Sequence, residues 1–246
     1  MIETSVTTYS RAAGIFLILT IFGGWFGEMY VPSHMITGHA AATAAQLRDH
    51  DGLFRLGFTA YLLEAFSDLV LAWLFYVLLR PVHRELALLS AFFGLVSMSL
   101  FAVTEMFYFS APIFVTGSKH LTVFSPEQLD ALASVFLSLY ARLSGLFMLF
   151  YGTAWIIRGY LTFRSRYLPR WLGAVMIVGG LGFVAKNLTM LLLPSYSSDM
   201  LLAPMFLTVV ASAIWMLFKG VNLGEWNRTL ANQSESLSQK PRPRRQ

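Results

Sequence analysis

The sequence has no cysteine, which excludes disulfides, thiolate metal sites and cysteine nucleophiles outright. Charge is nearly as scarce. Only 13% of the 246 residues are Asp, Glu, Lys or Arg, whereas a soluble domain carries about 25%. With 56% hydrophobic residues and a mean hydropathy of +0.60, the chain lacks the polar surface of a water-soluble fold and belongs in a membrane. Catalytic signatures are also missing. There is no HExxH pair and no GxSxG elbow, and no histidine falls inside an apolar segment where it could act as a base. The net charge of +5 does not point to nucleic acid, because the basic residues stand between the hydrophobic segments rather than along an aromatic-studded surface. Neither internal repeats nor inverted halves are apparent. No cofactor is expected.

Six apolar segments are present. They predict an all-α, polytopic integral membrane helical bundle of six transmembrane helices plus a short interfacial helix, with the lipid bilayer as its first partner. The segments run over about 12–31, 52–80, 86–110, 126–160, 170–193 and 200–218. The first has a small-residue face of Thr20, Gly23, Gly24 and Gly27, and Pro32 is expected to end it. The stretch GHAAATAAQLRDH is too short and polar to span, and reads as an interfacial helix. Pro81 forces a tight turn, and a polar loop with Gly117, Lys119 and His120 follows Pro112. Ser125, Pro126 and Gln128 write a capped helix start, and the helix they open is too long for the membrane, so it must protrude or tilt. Gly179, Gly180 and Gly182 sit mid-helix in an apolar segment, where close helix packing explains them better than a phosphate loop. The spanning domain ends near residue 223, and 224–246 reads as a disordered basic tail.

Charge within such segments needs a reason, because an ionised group near the bilayer centre costs about 2.5–3.5 kcal/mol on insertion scales. Glu64 and Asp68 are four residues apart and share a helix face, which Tyr61 extends. Glu28, Arg55 and Glu105 fall in the outer half, and Arg142, Lys186 and its neighbour Asn187 join Glu64 and Asp68 nearer the middle. Four acids and three bases nearly balance, as a buried paired network requires. Two readings follow. The residues line an outward-opening polar cavity for a small polar or amphipathic ligand or a coupled proton, or their pairs simply lock the helices in register. His34, His39, His50 and His120 lie in outer loops near Asp49 and Asp51, but their spacing matches no compact zinc pattern.

The runs ATAAQLRDHDGLFRLGF, YVLLRPVHRELALLSAFF and GYLTFRSRYLPRWLGAVMIVGGLGF resemble the bacterial membrane-protein family called domain of unknown function 4386, over roughly residues 10–220. The chain departs from that pattern at His39 and His83. The resemblance implies a bacterial multi-pass membrane protein and brings no activity, cofactor or catalytic residue with it. Counting bases near the segment ends gives nine on one side and two on the other, which places both termini in the cytoplasm of a bacterial inner membrane. The first functional expectation is binding or transport of a small-molecule or lipid ligand at Glu64, Asp68, Glu105, Arg142 and Lys186. The second is an intramembrane, lipid-modifying enzyme with Glu64 or Asp68 as base and a metal on the loop histidines. The third is a structural or partner subunit.

Overall fold

A computed structural model of the chain describes residues 2–116 and 121–238. Its helices are α1 (Ile2–Gly23), α2 (Val31–Met35), α3 (Ala40–Asp49), α4 (Asp51–Leu79), α5 (Arg84–Val115), α6 (Pro126–Arg164), α7 (Arg170–Leu192), α8 (Ala203–Ile214) and α9 (Leu223–Ser238). A π-helical stretch, Gly24–Tyr30, joins α1 to α2, and another, Trp215–Lys219, extends α8. Six helical stretches are long and apolar enough to cross a membrane: Val6–Met35, α4, α5, α6, α7 and Asp199–Lys219. The architecture is an all-α helical bundle.

The six close into a ring. Each packs on the next in chain order, and α8 returns to α1. Small residues bring the backbones together, as expected where lipid gives helices little hydrophobic reason to associate. On α1, a Cβ at Gly23 would stand 2.8 Å from Glu64 Cβ and 3.0 Å from the Ala60 carbonyl. At the other end of α1, a Cβ at Gly14 would meet the Leu217 backbone at 2.7 Å, and Ser10 donates to the Met216 carbonyl. The α6–α7 seam is the most regular. Gly145, Gly152 and Gly159 recur every seven residues on α6 and face Asn187, Gly180 and Gly173 on antiparallel α7; a Cβ at Gly152 would lie 2.7 Å from the Gly180 carbonyl. The cluster at Gly179, Gly180 and Gly182 is thus a packing surface, with Gly179 against Thr208 and Gly182 against Leu201. Interhelical hydrogen bonds add to the seams: Ser90 and Ser97 donate to the Ala154 and Phe147 carbonyls, and Thr208 to that of Val175.

Three expectations fail. Pro32 does not end the first helix but sits in the opening turn of α2. The π-helical stretch before it has already shifted the bonding pattern, with the Val31 N–H reaching Phe26 O, and an early-turn proline gives up no needed donor. Pro112 is likewise inside α5, which continues to Val115. Membrane helices tolerate such a proline when neighbouring groups re-satisfy the freed carbonyl. Finally, 223–238 is helical rather than disordered. Leu223, Trp226 and Leu230 form a 3.6-period apolar stripe in a segment polar on average. Trp226 is buried edge-on against Tyr167, and Gln233 donates to the Pro81 carbonyl at 2.6 Å. The Asn222 side chain accepts from the Glu225 N–H, capping the helix start. The sequence Gln-Lys-Pro-Arg-Pro-Arg-Arg-Gln at 239–246, and the loop at 117–120, lie outside the described residues.

The capped start of α6 is as expected, with Ser125 and Gln128 satisfying each other's backbone N–H groups. Its 39 residues span about 58 Å, nearly twice the hydrocarbon core. The excess projects at the Pro126 end, where it packs against α3 and Asp130 pairs with Arg48.

Candidate functional site

The ring encloses a cavity of about 210 Å3, to which all six spanning stretches contribute. Its wall is mostly apolar and aromatic, with Met98 and Phe101 from α5, Phe147 from α6, Phe183 from α7 and Met205 from α8. Set into that wall are Glu28 from the π-helical stretch and Glu64 and Asp68 from α4. The glycines explain the placement. Gly24 leaves room for the Glu64 carboxylate, whose Oε1 would lie 3.3 Å from a Cβ there, and Gly27 allows the Glu28 turn to sit on Gly57.

Each carboxyl group has a distinct setting. Asp68 is only 5% exposed and accepts a hydrogen bond from Tyr151 at 3.2 Å. One Glu64 oxygen is buried without a protein partner. Glu105, 4% exposed, lies one turn beyond Phe101, and neither of its oxygens has a partner. The four acids interact with one another electrostatically. Beside Glu105, Tyr61, Tyr108 and Tyr140 form a ring cluster in which the Tyr61 and Tyr140 hydroxyls are 2.6 Å apart. Tyr140 also lines a separate outer cleft between α6 and the Ile36–Thr43 segment.

The expected bases are elsewhere. Arg55 pairs with Asp51, one turn away on the exposed face of α4. Arg142 is exposed; because Gly145 stacks on Asn187, residue 142 is level with the C-terminal end of α7, where a long basic side chain reaches the interface. Lys186 binds Asp199 at 2.7 Å, just outside the bundle, and Asn187 donates to the Phe183 carbonyl in its own helix. The expected seven-charge network therefore does not form. The structure brings Glu28, Glu64, Asp68, Glu105 and Tyr61 together and leaves Arg55, Arg142 and Lys186 out.

Arg158 is the base the sequence reading missed. It is fully buried between α4, α5 and α6, donates to Ser90 Oγ at 3.3 Å and lies over the rings of Phe75 and Trp155 at 5.0 and 5.5 Å. It interacts electrostatically with Asp68 and Tyr151, without closing a salt bridge to either. Gly94 makes its room, since a Cβ there would stand 3.0 Å from the guanidinium. Its signal was its position inside the apolar run AWIIRGYL, six residues short of the helix end.

The sequence suggested an outward opening; the exposed part of the cavity lining lies on the flank of the bundle. α1 and α8 touch at Ser10–Met216 and Gly14–Leu217; farther along, cavity-lining Trp25, Met29 and Phe206 are 51%, 66% and 60% exposed. Such apolar residues in a membrane face lipid, so the opening is lateral. Among the described residues no three His, Asp or Glu side chains group in a metal-binding arrangement. His34 bonds back to the Tyr30 carbonyl, and His120 lies outside the described residues.

A protein of uncharacterised function from Archaeoglobus fulgidus is 28% identical over 158 residues, 64% of this chain and 80% of that protein. No solved structure matches the chain. The family described as "Domain of unknown function (DUF4386)" matches residues 12–220, a span that takes in the first apolar helix from residue 12, the other five whole and every residue of the cavity. The chain belongs to that family.

Proposed function

We propose that the protein binds, and carries across the membrane, a small amphipathic ligand held at the centre of its six-helix ring. One observation carries this reading: a cavity of about 210 Å3 with three carboxyl groups set in an apolar wall. A structural role for these groups would favour pairing them, since an unpaired buried ion is costly. Yet Glu64 keeps one buried oxygen without a partner, and Glu105 keeps two. Asp68 and Arg158 fit the fastening role better, because both hydrogen-bond across helix seams. We read the host membrane as a bacterial cytoplasmic membrane with both chain termini on the cytoplasmic side, supported by the distribution of basic residues near the helix ends, eight to two once the buried Arg158 is set aside.

Native mass spectrometry of gently solubilised protein tests the reading, comparing the wild type with folded Glu64→Gln and Arg142→Gln variants. A small molecule or lipid retained by the wild type and by Arg142→Gln, but lost from Glu64→Gln, is the expected result. Equal retention by all three, or none by the wild type with only the melting temperature of Glu64→Gln changed, returns the acids to a structural role.

A further inference from the structure

We infer that the ligand is an amphiphile with a cationic head, seated head-first against Glu28 and Glu64 while its chain leaves sideways between the Gly24–Tyr30 stretch and α8. This rests on the reading that the cavity binds a ligand, and specifies its class.

Charge sets the head. Four carboxyl groups, Glu28, Glu64, Asp68 and Glu105, cluster inside the ring with Arg158 as the one buried base among the described residues. Arg158 lies below Asp68 and is already engaged by Ser90 and two aromatic rings. A low-dielectric site does not hold such a surplus of negative charge uncompensated. Protons can neutralise it when the cavity is empty; a cation replaces them when it is filled. An anionic head would add to the surplus. A neutral polar head would leave the surplus to be met by protons alone and would gain no charge pairing. Phe101, Phe147 and Phe183 supply aromatic lining, the residue type that quaternary ammonium sites use. Glu105, buried and unpartnered one turn from Phe101, extends the acidic wall beyond the cavity lining.

Size and shape set the rest. A volume of about 210 Å3 is below the roughly 300–1,000 Å3 of pockets that enclose drug-sized ligands. It fits a head group and the first part of a chain, not a whole long molecule. The remainder needs an exit, and the gap rimmed by Trp25, Met29 and Phe206 leads into the acyl region, whose chemistry matches an alkyl chain.

Binding to protein in phosphatidylcholine nanodiscs, measured with a matched series, tests the inference: dodecyltrimethylammonium, dodecyl maltoside, dodecyl phosphate and chainless tetramethylammonium. The expected result is saturable, one-to-one binding of dodecyltrimethylammonium alone, weakened about tenfold or more by Glu64→Gln, as loss of one charged contact implies. Glu28→Gln, monitored for intact folding, gives a second variant if the first misfolds. Equal, Glu64-dependent binding of all three dodecyl probes overturns the cationic head but leaves cavity binding standing. Tetramethylammonium binding as tightly as its dodecyl analogue overturns the lateral chain path. No saturable binding of any probe overturns both the inference and the reading beneath it.

Discussion

Arg142 and Arg158 show how one residue's depth decides its role. Both lie in the same helix and both are preceded by apolar sequence, but Arg142 is at the outer margin and exposed whereas Arg158 is sealed between three helices. Arg142→Gln should therefore change stability by no more than about 0.5 kcal/mol. Arg158→Gln should cost about 1.5–3 kcal/mol, the range for a charged buried hydrogen bond, read from unfolding in mild detergent. A double-mutant cycle with Asp68→Asn then measures their coupling, expected at about 0.5–3 kcal/mol. Tyr61→Phe, which removes the 2.6 Å bond to Tyr140, should cost about 0.5–1.5 kcal/mol. The acids of this site were legible in the sequence because Glu64 and Asp68 share a face whatever the packing around them. Their partners were not, since which base reaches which acid depends on how far α6 slides along its neighbours, and that register is set by the Gly145, Gly152 and Gly159 contacts rather than by residue type.

At the scale of the element, the glycine seam between α6 and α7 explains why these two helices hold that register. Gly152→Leu or Gly180→Leu would drive a branched side chain into a backbone carbonyl about 2.5–2.7 Å from the new Cβ, and should destabilise by about 1–3 kcal/mol or prevent insertion altogether. Gly38→Ala and Gly52→Ala meet nothing within 4 Å and serve as controls, expected within about 0.5 kcal/mol of wild type. Apolar length and capping residues made all six spanning segments readable. Pro32 misled because it sits in an early turn where no N–H is needed, and Pro112 because a membrane helix tolerates an interior proline whose freed carbonyl is satisfied by neighbouring groups. The last helix, α9, was hidden by its average polarity, although Asn222 and the Leu223, Trp226, Leu230 spacing marked it. Trp226→Ala should release α9 from Tyr167, and faster tryptic cleavage at Arg228 would report it. At the base of that contact, burial pushes the Tyr167 phenol upward, so it stays a donor to the Leu78 carbonyl.

Closure of the ring is a property of the whole molecule that no single segment announces. Each spanning helix needs only its neighbour, yet the return of α8 to α1 closes the cavity and leaves the exposed rim of Trp25, Met29 and Phe206 at its side. Because the chain has no cysteine of its own, single cysteines can map its setting directly. An impermeant thiol reagent applied from outside should label Ala40→Cys and spare Arg84→Cys; the reverse pattern would invert the orientation. The account's central claim is that ligand sits inside the ring and reaches lipid between the Gly24–Tyr30 stretch and α8. Photolabelling in nanodiscs tests this most directly, with an alkylammonium carrying a diazirine on its chain and competed by unlabelled dodecyltrimethylammonium. Competable label on Trp25, Met29 and Phe206 at the rim, and on Phe147 and Met205 inside, is what the account predicts. Label confined to outward-facing Phe66, Phe92 and Met106, and indifferent to the competitor, would contradict it.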